Sequence, residues 1–103
     1  MKKYDPSSTN LQIGLKILTF TATWCGDCKF IEPFMPIIEK NNPNFEFIEV
    51  DIDKYSELAN NFRIKGIPSF VAINEGEEIG RFVNGDRKTK PEIENFIKGL
   101  SVK

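Results

Sequence analysis

The sequence predicts an α/β domain in which helices cover both faces of a mixed sheet of about four strands. Three features predict it. Two stretches dense in β-branched and aromatic residues, Leu15 to Ala22 and Phe45 to Ile52, bracket a segment of helical period. A hairpin signature, Asn74-Glu75-Gly76-Glu77, separates two further strand candidates. A capping box, Thr89-Lys90-Pro91-Glu92, opens a C-terminal apolar stripe.

Residues 1–14 are polar, with Pro6, Ser7, Ser8, Thr9, Asn10 and Gly14, and read as an arm or a short first helix. Leu15 to Ala22 reads as a strand covered on both faces. Beyond Cys25 a helical period takes over, and Phe30, Ile31, Phe34, Ile37 and Ile38 are expected to share one face. Pro33 removes a backbone donor inside that helix and kinks it, and Asn41-Asn42-Pro43 ends it. Strand, helix and strand over this distance make a βαβ unit, so Phe45 to Ile52 runs parallel to the first strand. Asp53 or Ser56 is expected to cap a short helix carrying Leu58, Ala59 and Phe62. Ile67-Pro68-Ser69 leads into strand Phe70 to Ile73, and Ile79 to Val83 returns antiparallel. After the capping box, Ile93, Phe96, Ile97 and Leu100 form a stripe that must dock on the sheet.

The 103 residues are expected to form one domain over 1–103, long enough to bury roughly 65% of the surface of the unfolded chain. Hydrophobic residues make up 40% and charged residues 28%, which excludes a disordered or fibrous chain. Fourteen basic and fifteen acidic residues are interspersed and leave a net charge of −1, so nucleic acid is not an expected partner. The longest apolar run has four residues, Phe70 to Ile73, far short of a membrane span. No apolar stretch follows the basic start, so no signal peptide is read and a cytoplasmic location is expected.

Histidine is absent, which removes Cys-His catalysis and every His-based metal site. The only two cysteines, Cys25 and Cys28, stand at Cys-x-x-Cys spacing. Cys25 follows the carboxyl end of a strand and begins a helix, a favoured place for reaction sites in open α/β sheets. Free N–H groups of the first turn and the helix dipole favour a thiolate there. Cys28 lies one turn further in, on the same side. Cys25 would attack a substrate disulfide, and Cys28 would then displace the reduced substrate and close the Cys25–Cys28 bond.

At these residues the sequence resembles the thioredoxin family, from about Leu15 to Leu100. Trp24-Cys25-Gly26-Asp27-Cys28-Lys29 is similar to that family's Trp-Cys-Gly-Pro-Cys-Lys, Pro33 falls at its helix kink, and Gly66-Ile67-Pro68-Ser69 resembles its Gly-Ile-Pro-Thr. The resemblance implies a thioredoxin-like three-layer fold and a cis peptide bond at Pro68, lying against the cysteines. It implies that the backbone of Ile67 pairs with an extended substrate segment, and that Trp24 and Ile67 supply an apolar patch. Otherwise Pro68 merely begins a strand and Trp24 belongs to the core. No cofactor is implied beyond the redox-active pair. The implied partners are disulfide-containing proteins and a recycling reductase such as thioredoxin reductase, with a monomer as the default.

Four departures bear on function. Asp27 replaces the proline between the cysteines, opposing a thiolate at Cys25 while favouring the helix's first turn. Thr19 stands where the family has a buried aspartate, and Glu49 where it has that aspartate's lysine. Glu49 is then expected either to serve as the proton relay, hydrogen-bonded to Thr19 and accepting the proton of Cys28, or to reach solvent at the strand's end. Asn84 stands where the family has a glycine close to substrate; it either narrows the groove or is a turn residue beside Gly85. The arm before Leu15 is short, so the family's first strand is expected to be missing.

The leading function is therefore a small thiol–disulfide oxidoreductase that reduces protein disulfides, with an oxidant or isomerase as a variant. The alternatives from another class are a non-catalytic thioredoxin-like binding module and a two-thiolate metal carrier using Cys25 and Cys28 with a second chain.

Overall fold

The structure, a computed structural model, describes residues 1–100, and the last three residues of the expected domain lie outside them. The sheet is built from β1 (Lys2–Lys3), β2 (Leu15–Thr21), β3 (Glu46–Asp51), β4 (Ser69–Asn74) and β5 (Glu77–Phe82). In space their order is β1-β3-β2-β4-β5. The βαβ crossover makes β2 and β3 parallel, with Thr19 opposite Glu49, and β4 lies antiparallel to β2 on its other side. The expected count of about four strands is corrected to five. Lys2 and Lys3 pair in parallel with Ile48 and Glu49, and the Tyr4 amide donates to the Glu49 carbonyl at 2.8 Å. A two-residue edge strand of lysines has no alternation to announce it, which is why the arm looked strandless.

Helices α1 (Gly26–Ile31), α2 (Met35–Asn41), α3 (Ser56–Asn61) and α4 (Lys90–Lys98) cover the two faces. Period-two alternation divides the strands between two cores. Ile17, Phe45, Phe47, Phe70 and Ala72 meet Ile31, Met35 and Ile38 of α1 and α2 and Ile93 and Ile97 of α4. Each fully buried isoleucine on these helices contributes about 1.5–3 kcal/mol. Leu18, Phe20, Ile48, Val50, Val71 and Ile73 pack on the other face against Ala59 of α3.

Pro33 does break the helix: Glu32–Phe34 forms a 3-10 turn between α1 and α2. The helical phase carries through that turn, since Ile31, Met35 and Ile38 stand at i, i+4 and i+7, with Phe34 partly buried against the same core. Phe30 and Ile37, expected on that face, are exposed. The cap expected at α3 is also corrected. Tyr55 occupies its N-cap with no side-chain bond, since Ser56 is already the first helical residue and Asp53, two residues before the cap, bonds Trp24 instead. The hairpin turns through Glu75 and Gly76, both at positive φ, between paired Asn74 and Glu77. That turn matches the strand twist. At α4 the capping box is complete, with the Thr89 hydroxyl accepting from the Glu92 amide and the Glu92 carboxylate accepting from the Thr89 amide.

Candidate active site

The central strand β2 ends at Thr21, and four residues later the chain turns helical at Cys25. Cys25 is the N-cap of α1, with extended backbone, and its Sγ accepts a hydrogen bond from the Cys28 amide at 3.1 Å. Both cysteines are nearly buried, at 6% and 4% exposure, among Ala22, Ile52 and Ile67. They are joined as a disulfide with a Cα–Cα distance of 5.2 Å. The expected neighbour is in place: the Ile67–Pro68 bond is cis, Pro68 is buried, and the Ile67 carbonyl oxygen lies 3.9 Å from Cys25 Sγ.

Trp24 is not a core residue. Its ring is 66% exposed, and its indole Nε1 donates to Asp53 Oδ2 at 2.8 Å. Between Trp24 and Ile67 runs a groove of about 330 Å3, lined also by Ile52, Ala59, Ile64 and Gly66. Gly66 has to be glycine because a Cβ there would lie 2.5 Å from the Asn84 carbonyl. The Ser69 hydroxyl donates to the Gly66 carbonyl and holds the same segment.

That contact brings the loop after β5 against the site. Asn84 is not part of the groove lining. Its side-chain oxygen accepts from the Asp86 amide at 3.0 Å and from Lys88 Nζ at 2.9 Å, within its own turn. Lys88 is 1% exposed, and its ammonium also donates to the carbonyls of Asn84 and Asp86. Burial pushes it below the ordinary lysine value, while Asp86, Glu92 and Asp27 pull the other way. Asp27 is paired with Arg87, Nε to Oδ1 at 2.9 Å.

Thr19 and Glu49 are cross-strand neighbours, as the alternation requires, but the expected hydrogen bond between them is absent. The Thr19 hydroxyl is fully buried and has no hydrogen-bond partner among the described residues. On a pleated sheet, neighbouring side chains stand side by side, and here the two polar groups do not meet. Glu49 is half-buried and shares with Cys28 the lining of a cavity of about 290 Å3, together with Thr21, Lys29, Met35 and Asp51.

Arg87 and Lys88 escaped the sequence reading, and Asp53 entered it only as a helix cap, not as the partner of Trp24. Asp53 and Arg87 reach their partners across 29 and 60 residues, separations at which no local pattern operates. Lys88 stands in a polar loop and carries no apolar signal of burial.

The thioredoxin family model matches residues 6–99. Thioredoxin H2-1 of Oryza sativa subsp. japonica is 37% identical over 86 residues, covering 84% of this chain and 60% of the relative. The thioredoxin of Equus caballus is 37% identical over 86 residues, covering 84% of this chain and 79% of the relative. Among solved structures, thioredoxin NaTrxh of Nicotiana alata superposes with a TM-score of 0.73 at 30% identity, covering 85% of this chain and 75% of that one. Mitochondrial thioredoxin 3 of Saccharomyces cerevisiae, in its oxidized form, gives 0.75 at 28% identity, covering 86% and 81%. The chain spans about 60% of the length of the plant H-type relatives it matches. With a family model matched from residue 6 to residue 99 and a central strand that delivers its cysteines to a helix start beside a cis proline, this chain belongs to the thioredoxin family.

Proposed function

We propose that this chain is a thiol–disulfide oxidoreductase that reduces disulfides in other proteins through Cys25 and Cys28. One observation carries the reading: Cys25 Sγ, capping α1, already accepts the Cys28 amide at 3.1 Å. An N–H aimed at sulfur favours the charged form, and the thiolate is the nucleophile.

In the reduced protein the Cys25 thiolate attacks one sulfur of the substrate disulfide. A mixed disulfide forms, and the other substrate sulfur leaves as a thiolate that takes up a proton. Cys28 then loses its proton and attacks Cys25 Sγ, which breaks the mixed disulfide, releases the second substrate thiol and closes the Cys25–Cys28 bond. The substrate gains two electrons from the cysteine pair and two protons, one matched by the proton Cys28 gives up and the other, from water, by the proton Cys25 released on ionising. No cofactor enters.

Trp24, Ile67 and Pro68 form the substrate-binding surface. An extended segment lies along the Ile67 backbone, with an apolar side chain in the groove beside Trp24. Gly26 leaves open space at the turn between the cysteines. Glu49, on the cavity it shares with Cys28, receives the proton that Cys28 gives up, through water in that cavity. A dithiol-regenerating partner of the thioredoxin reductase kind closes the cycle. In a reducing compartment such as the cytoplasm the pair rests as dithiol, which sets the direction of the reaction.

The test uses Trp24, the only tryptophan, as a reporter of the adjoining pair. Its fluorescence, titrated against dithiol buffers, is expected to give a reversible transition below about −240 mV. A midpoint above about −200 mV would make the protein an oxidant or isomerase, and no transition would make it a binding module. With dithiothreitol as electron donor, Cys25→Ser is expected to abolish reduction of a disulfide-bonded protein, and Cys28→Ser to accumulate the mixed disulfide.

A further inference from the structure

Asp27 is a carboxylate set between the two cysteines, two residues from the sulfur that must ionise. Unbalanced, it would oppose that ionisation. It is not unbalanced. Arg87, 60 residues further along the chain, brings Nε to 2.9 Å from Asp27 Oδ1. The guanidinium is held on a second side by Phe30, whose ring centroid lies 4.4 Å from its central carbon. Phe30 in turn stands edge-on to Phe34 at 5.5 Å. The exposed Phe30, which the core does not claim, thus serves as a platform for this cation. From below, the Lys88 clamp on Asn84 and Asp86 and the contact of Asn84 with Gly66 fix the loop that carries Arg87.

We propose that Arg87 is a positioning residue for the cysteine pair: it holds Asp27 as an ionic partner, so that this carboxylate does not oppose the ionised sulfur of Cys25. The inference rests on the reading of Cys25 as the nucleophile. Among the described residues Asp27 has no second salt bridge. Lys88 also lies within its field, but that ammonium is committed to three oxygens of its own loop. Other charges at the site are Lys29 on α1 and Lys65 on the groove, both exposed, Asp53, which the Trp24 indole engages, and Lys3, Glu32, Glu49, Asp51 and Lys54 around the Cys28 cavity. The side chains of Asp27 and Arg87 are 34% and 58% exposed, so the pairing is open to screening by salt.

The experiment follows alkylation of Cys25 by iodoacetamide at pH 7 in a Cys28→Ser background, where one thiol reacts. At low salt, Arg87→Gln is expected to slow alkylation about three- to ten-fold, because the unpaired Asp27 repels the thiolate. Salt of about 1 M, where the screening length is about 3 Å, is expected to recover most of that loss. Arg87→Lys, which keeps the charge, is expected to stay within about two-fold of the parent. Asp27→Asn combined with Arg87→Gln is expected to return the parent rate. A parent rate for Arg87→Gln at low salt would overturn the inference. So would a loss that neither salt nor Asp27→Asn restores, since that would mark a displaced loop. A parent that shows this pattern yet fails to reduce protein disulfides would sink the enzymatic reading and leave Arg87 standing.

Discussion

The Trp24 indole donates to Asp53 at 2.8 Å and so ties the residue before Cys25 to the segment that follows β3. With two thirds of its ring in solvent, Trp24 is oriented by this bond rather than by packing. Asp53→Ala is therefore expected to raise KM for protein disulfides about two- to five-fold, the equivalent of one hydrogen bond of about 1 kcal/mol. Global stability is expected to stay within about 0.5 kcal/mol, as for most surface changes. Steady-state kinetics beside urea unfolding make the check, and an unchanged KM would show that the groove holds Trp24 without Asp53.

In the central strand, Thr19 carries a fully buried hydroxyl with no partner among the described residues. A buried polar group left unpaired is destabilising by about 1–3 kcal/mol. Thr19→Val keeps the shape, removes the hydroxyl and suits a strand, so it is expected to stabilise the fold by about 1 kcal/mol. The urea midpoint reads this directly. A lower midpoint would mean that the hydroxyl has found a partner.

Glu49 and Cys28 line one cavity, and Thr19 makes no hydrogen bond to Glu49. Glu49→Gln keeps the shape and loses the proton acceptor. Its rate of disulfide exchange is expected to fall and its dependence on pH to change shape across neutrality. A profile identical to the parent's, both above and below pH 7, would discard Glu49 as the acceptor.

Gly66→Ala would place a methyl group 2.5 Å from the Asn84 carbonyl, which is backbone and cannot swing aside. The expected loss is about 1–3 kcal/mol, or roughly 4–8 °C in Tm for each kcal/mol in a domain of this size. Calorimetry makes the measurement. An unshifted transition would show that the loop after β5 yields freely and does not brace the Ile67–Pro68 segment.

Most of the frame was legible in the residues because its signals are local. The two-residue side-chain period of β2, β3 and β4, the paired positive-φ turn at Glu75 and Gly76, the Thr89–Glu92 box and the Cys25–Cys28 spacing each act over a few residues. The helix face was readable in part: Ile31, Phe34 and Ile38 reach the core together with Met35, while Phe30 and Ile37 lie at the edge of that stripe and are exposed. Trp24, open to the core or the surface on sequence grounds, proved exposed because its indole has an ionic partner outside the core.

By itself, then, the sequence determined the layered α/β plan, the helix start at Cys25 and the chemistry of the sulfur pair, since propensity, capping and spacing are properties of neighbours along the chain. Only the tertiary structure decided which polar groups meet: Asp27 with Arg87, Trp24 with Asp53, and Lys88 with its own loop, while Thr19 meets none among the described residues. Electrostatic contacts act through space over a few ångströms, and distance along the chain carries no trace of them until the fold has closed.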